Sequence, residues 1–232
     1  MSHFTKDFIK FLKDLSKNNN REWFNENKKR YETHVKEPFF NFIDEMITRI
    51  NMDDPSVAIE PKDAIFRIYR DVRFSKDKSP YKTQVSAVIS PGGRNDLMNP
   101  GMYLEINTKD FRIYGGLYML DKNQLQSVRQ HIASNLKEFS KLLNEKKFKN
   151  TYGEIHGEKN KRLPVEFDRI KDVQPLIANK QFYFFNKLEL ETILKPNLTD
   201  IVMKHYNNAK PMNKFLKEAL GWLIEWLNGW LF

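Results

Sequence analysis

Residues 84–118, QVSAVISPGGRNDLMNPGMYLEINTKDFRIYGGLY, decide the fold class. Within them 84–90, 102–107 and 111–118 are short runs rich in β-branched and aromatic residues, and turn signals such as Pro91-Gly92-Gly93 divide them. Residues 64–70 just upstream have the same character. Runs this closely spaced leave no room for intervening helices, so a mainly antiparallel meander is predicted, not a doubly wound parallel sheet. Gly92-Gly93 and Gly115-Gly116 read as a turn and a bulge, not as phosphate cradles.

Helical spacing takes over on both sides. Phe4, Phe8, Phe11, Leu12 and Leu15 recur on one face until Asn18-Asn19-Asn20 interrupts them. Asn20 is suited to cap a second helix with Trp23, Asn27, Tyr31 and His34 on one face. Pro38 suits the start of a third, carrying Phe39, Phe42, Ile43, Met46, Ile47 and Ile50. Asp121 opens a helix over 121–143 with Leu125, Val128, Ile132, Leu136, Phe139 and Leu143 on one stripe. Residues 145–162 read as a polar, basic surface excursion. A short helix near 172–178, a strand at 181–189 and helices near 197–208 and 211–229 follow. The last carries Met212, Phe215, Leu216, Leu223, Trp226, Leu227 and Trp230 on one broad face, read as core docking, with a dimer seam as the sharper alternative. The expectation is an α+β fold, one domain over 1–232, its sheet flanked by N- and C-terminal helices.

A chain of 232 residues, 40% hydrophobic and 13% aromatic, can bury a large core. It has no Cys, which excludes disulfides and thiol catalysis. Asp7 and Lys10 interrupt what a signal peptide would need as an apolar run, and no stretch is long enough to span a bilayer. A soluble cytoplasmic protein, monomer or homodimer, is expected. The net charge of +9 admits anionic partners, although a lysine-rich composition of the kind AT-rich genomes encode is the stronger account of it.

The chemistry concentrates in 67–82, RIYRDVRFSKDKSPYK. Arg67, Arg70, Arg73, Lys76, Lys78 and Lys82 surround only two acids, Asp71 and Asp77, with Tyr69, Phe74 and Tyr81 interleaved. Guanidiniums gathered in a partly dry site need carboxylates within the fold or an anion from outside. If 64–73 is extended, Arg67, Tyr69, Asp71 and Arg73 point one way, and Phe66, Ile68 and Arg70 the other. Ser75-Lys76-Asp77 turns the chain and Pro80 stiffens its return. Arg67, Arg70, Arg73, Lys78 and Tyr81 are therefore expected to converge on one concave site, with Asp71 as organiser and Phe74 and Lys82 beside them.

This stretch resembles the signature of the bacterial domain-of-unknown-function family 2461, R-x-x-R-D-x-R-F-x-x-x-K-x-x-Y, met by Arg67, Arg70, Asp71, Arg73, Phe74, Lys78 and Tyr81. Asn19, Trp23 and Phe24 resemble its N-terminal element, Gly115-Gly116 with Tyr118 its Gly-Gly-aromatic strand, and Arg129 its Ile/Val-Arg helix. The chain departs at Leu120, where the pattern has Pro, and its C-terminal third matches loosely. The resemblance implies a bacterial α+β protein with a site but no assigned reaction. Arg129, at the edge of its helix's apolar stripe, either joins the Arg67–Arg73 cluster or snorkels over apolar surface.

Five scattered histidines give no metal-ligand spacing, and no nucleotide-binding loop or nucleophile elbow occurs. Glu105 and Asp110 could serve a metal or act as a base, but as isolated strand carboxylates they read as solvated. Three readings of the motif remain: a small-anion site for phosphate or carboxylate, with or without an enzymatic step and with no cofactor indicated; a ligand-free ion-pair network; and, last, a nucleic-acid module stacking bases on Phe74 and Tyr81.

Overall fold

Apolar side chains at helical spacing set the first element. The computed structural model describes residues 2–96 and 99–228, with side chains up to residue 221. Helix Lys6–Lys17 buries Phe8, Ile9, Phe11, Leu12 and Leu15. Helix Arg21–Glu26 is capped by Asn20, whose side-chain oxygen accepts from the Trp23 N–H at 2.9 Å. Residues Lys28–Tyr31 and a π-helical turn Glu32–Lys36 lead into helix Glu37–Asp53, with Pro38 in its first turn. That helix buries all six apolar residues expected of it.

Four strands, β1 (Val85–Ile89), β2 (Met102–Ile106), β3 (Asp110–Leu117) and β4 (Phe182–Glu189), form an antiparallel sheet in the order β1-β2-β3-β4. Burial alternates along β2 and β3, so each has one core-facing side. The fold is α+β. The chain divides into two compact units. The first runs to Asn95 and adds Tyr103–Ile113 and Lys187–Lys204; the second comprises Asp96–Met102, Tyr114–Asn186 and the chain from His205 onward. In the first, Phe4 meets Phe8 and Phe42 with ring centroids 4.6 and 5.3 Å apart. In the second, Phe139 stacks on Phe215 at 5.3 Å and Phe148 meets Phe184 edge-on at 4.9 Å.

Five expectations need correction. The second helix, expected to carry Trp23, Asn27, Tyr31 and His34 on one face, ends at Glu26, where the Asn27 side chain donates to the Trp23 carbonyl, and Lys28–Tyr31 and the π-helical turn follow as separate elements. Residues 64–70 are not a strand of the sheet. They meet 80–87 only through isolated antiparallel bridges, Ile65 to Ala87 and Tyr69 to Tyr81. The Phe66 N–H reaches the Ser86 carbonyl while the Lys82 N–H reaches that of Ile68. Residues 82–86 thus run opposite only 66–68, and the surplus breaks the ladder.

The helix expected over 121–143 is two helices, Lys122–Ser134 and Leu136–Asn144. Between them the Asn135 side chain donates to the His131 carbonyl at 2.9 Å, the local competition that makes Asn a poor interior residue. The polar excursion contains helix Lys146–Tyr152, which buries Phe148 and Tyr152, one turn apart, beneath its charged face. The final two helices are one, Leu198–Asn228, continuous through Pro211. The lost backbone bond is outweighed there by burial of Ala209, Met212, Phe215 and Leu216. Met212, Phe215 and Leu216 dock in the core as expected, whereas the side chains of Leu223, Trp226, Leu227 and Trp230 lie outside the described residues.

Candidate functional site

The returning segment of the motif is held by one asparagine. Asn19, at the end of the first helix, accepts from the Tyr81 N–H at 3.1 Å and donates to the Tyr81 carbonyl at 2.9 Å. Both backbone groups of Tyr81 are satisfied from 62 residues away. The Tyr81 ring, 4% exposed, stacks on Phe24 with centroids 4.0 Å apart. Burial, with Tyr69 nearby, pushes its hydroxyl above the ordinary tyrosine range against a smaller pull from Arg21. Tyr81 is therefore an anchor. Its fixed position aims the chain on either side.

Beside that anchor lies an open cleft of about 710 Å³, lined chiefly by Asn19, Arg70, Asp71, Asp77, Ser79 and Lys82. Arg70 is half-buried and donates to Asp77 through a short contact and to the Ser75 hydroxyl at 3.4 Å. Asp77 also accepts from the Ser79 hydroxyl and N–H at 2.7 and 2.9 Å. These Ser79 bonds, and then Arg70, hold its carboxyl far below the usual range. Arg73 is exposed and grips Asp71, its Nη2 2.7 Å from Oδ2. Lys78 is exposed and donates to the Val72 carbonyl at 3.0 Å, fastening the loop's base. Phe74 is 97% exposed, with the Arg73 guanidinium 6.0 Å from its ring centroid.

Lys82 has a different environment. It is half-buried in the cleft wall, its Nζ 5.2 Å from the Phe66 ring centroid. Among the described residues neither it nor exposed Arg67 has a carboxylate within ion-pair distance. Burial, and then Arg67, lower the Lys82 pKa, so both effects disfavour its charged form.

The motif thus comes together only in part. Arg70, Asp71, Tyr81 and Lys82 share the cleft, whereas Arg67, Arg73, Phe74 and Lys78 are not among its principal walls. The guanidiniums of Arg70 and Arg73 turn to different acids, Asp77 and Asp71, while the charge of exposed Arg67 acts on Asp71 and Lys82. Asp71 is bonded to Arg73, and the Arg67 charge acts on it without reaching ion-pair distance.

Arg129 also needs a different role. It is 4% exposed in the second unit, and its Nε and Nη2 donate to the carbonyls of Ile177 and Asn179 at 2.9 and 3.1 Å. Neither a cluster arginine nor a snorkelling one, it closes backbone groups inside its own unit. Asn27 likewise turns back to the Trp23 carbonyl at 2.9 Å.

Glu105 and Asp110 are not solvated. Asp110 is almost fully buried and accepts from Arg112 and Asn107, both at 2.7 Å, with Lys187 at 3.3 Å. Glu105 accepts from Tyr103 at 3.1 Å and from Gln84 at 2.9 Å. Gln84 also lines the cleft, so a carboxylate stands one amide behind its wall. The alternation that put these acids on a strand carried no signal for their neighbours. Among the described residues no group of His, Asp and Glu side chains is placed to hold a metal ion, and no helix is long and apolar enough to cross a membrane.

A family model described as "Conserved hypothetical protein (DUF2461)" matches residues 7–215. The chain belongs to that family. The DUF2461 match takes in Asn19, the whole Arg67–Lys82 motif and Arg129, and so both the cleft and its anchor. Comparison with curated proteins gave no match, and neither did comparison with solved structures.

Proposed function

We propose that the cleft binds a small anion, a phosphate or a carboxylate, with Lys82 as its principal cation and Arg70 as its second. What carries this reading is Lys82: a half-buried ammonium beside a like charge, without a carboxylate at ion-pair distance among the described residues, in the wall of an open cleft. Such a charge is costly until an anion offsets it. Arg70 would exchange its exposed partner Asp77 for the ligand, and Ser79 and the Asn19 clasp would keep the wall in place. Phosphorylated metabolites of a bacterial cytoplasm are the natural supply. The reading assigns no nucleophile and no reaction.

A second reading is favoured by one observation: both acids of the motif are already bonded to its own arginines. On that reading the motif is an ion-pair network that fixes the 70–80 loop. Calorimetric titration with inorganic phosphate and with citrate, for the parent protein and for Lys82→Met and Arg70→Ala, separates the two. Anion binding lost in Lys82→Met at unchanged melting temperature supports the site. No binding by the parent, with Arg70→Ala lowering the melting temperature, supports the network.

A further inference from the structure

The second unit carries a row of rings on the side of the sheet that faces away from its core. Tyr118 meets Tyr183 edge-on at 5.3 Å, Tyr183 lies 5.7 Å from His156, His156 lies 5.0 Å from Phe185, and Phe185 stacks on Tyr114 at 5.1 Å. Phe182 and Phe184, the alternate residues of β4, are fully buried, whereas Tyr183 and Phe185 are half-exposed. Tyr118 is 66% exposed. A solvent-facing sheet side ordinarily carries polar residues, and five contiguous rings there form a stacking surface.

Glu154 lies 3.9 Å from the His156 ring, and the charge along the segment that leads away from the row selects the occupant. His156 pairs with Tyr183, and Lys159 with Asn179, so the segment 156–159 runs antiparallel along the approach to β4. It continues into Lys161 and Arg162. All three basic side chains are exposed and, among the described residues, none has a carboxylate at ion-pair distance. A neutral sugar would use the rings and leave these cations idle. A duplex would use the cations but hide its base faces. Unpaired bases on a phosphate chain use both.

We propose that this row, distinct from the cleft, binds single-stranded nucleic acid, with bases stacked on Tyr118, Tyr183 and Phe185 and phosphates held by Lys159, Lys161 and Arg162. The test is fluorescence anisotropy of labelled oligo-dT, oligo-rU and a duplex across a salt series. Single strands should bind more tightly than the duplex, with a log–log salt slope of about −0.7 per phosphate neutralised. Tyr118→Ala, at a side chain too exposed to support the fold, should weaken binding at least about fivefold, and Tyr118→Phe should keep it. The double variant Lys161→Glu, Arg162→Glu should flatten the slope. Parent-like affinity in Tyr118→Ala, a duplex bound as tightly as a single strand, or no binding at the lowest salt would each overturn the proposal. So would binding abolished by Lys82→Met but not by Tyr118→Ala.

Discussion

Replacing Arg129 by Met separates a structural arginine from a ligand-binding one. Met keeps most of the apolar stem and deletes the guanidinium. Two charge-assisted bonds are lost, each contributing about 1.5–3 kcal/mol, and the carbonyls of Ile177 and Asn179 are left buried without that donor. Part of the loss is offset, because burial already disfavours the charged form and lowers the Arg129 pKa. The balance is a destabilisation of about 2–4 kcal/mol, or roughly 5–15 °C for a chain of this size. Urea denaturation and calorimetry of parent and variant measure it, and phosphate titration of the folded variant should match the parent. A variant with parental stability that had lost anion affinity would refute the reasoning and return Arg129 to the binding site.

Gly116 adopts φ +87° within β3, and a Cβ added there would stand 2.2 Å from the Phe182 carbonyl oxygen. Gly116→Ala, where clash adds to strain, should cost more than about 3 kcal/mol, whereas Gly153→Ala, at φ +76° and ψ −76° with nothing within 4 Å, should cost only the backbone strain of about 1–3 kcal/mol; paired denaturation curves of equal midpoint would contradict this. At Asp110 burial pushes the carboxyl up, but hydrogen bonds from Arg112, Asn107 and Lys187 outweigh it and hold the pKa below its ordinary 3.8. A lowered folded-state pKa stabilises above the unfolded value and is lost as pH falls through the folded one. The stability gap between the parent and Asp110→Asn should therefore be constant above about pH 5 and narrow below pH 4; a gap widening in acid would invert the assignment.

The sheet was legible because β2 and β3 alternate cleanly, and Lys6–Lys17 and Glu37–Asp53 because their apolar stripes are continuous, whereas of the second helix only its Asn20 cap and first turns were. The register slip between 66–68 and 82–86 was not, since periodicity assigns a residue's face but not the length of the opposing segment. Pro211 reads as a break because the burial that outweighs its missing bond is tertiary. The motif's composition pointed to a charged site, and Arg70, Asp71, Tyr81 and Lys82 do share a cleft. Yet spacing alone could not reveal that Asp71 would take Arg73 and Asp77 the more distant Arg70, or that Lys82 would have no acid at ion-pair distance among the described residues. Arg129 was misread because a stripe-edge arginine looks the same whether its partner is a ligand or a carbonyl.

Whether an anion occupies the cleft beside Lys82 decides between a binding site and an ion-pair network. A crystal structure of the protein grown with millimolar phosphate tests this most directly. The expected result is a phosphate oxygen within about 3.2 Å of the Lys82 Nζ, with Arg70 turned from Asp77 toward it. A cleft holding only water at saturating phosphate, with the Arg70–Asp77 pair intact, would contradict the binding site and leave the motif as a network.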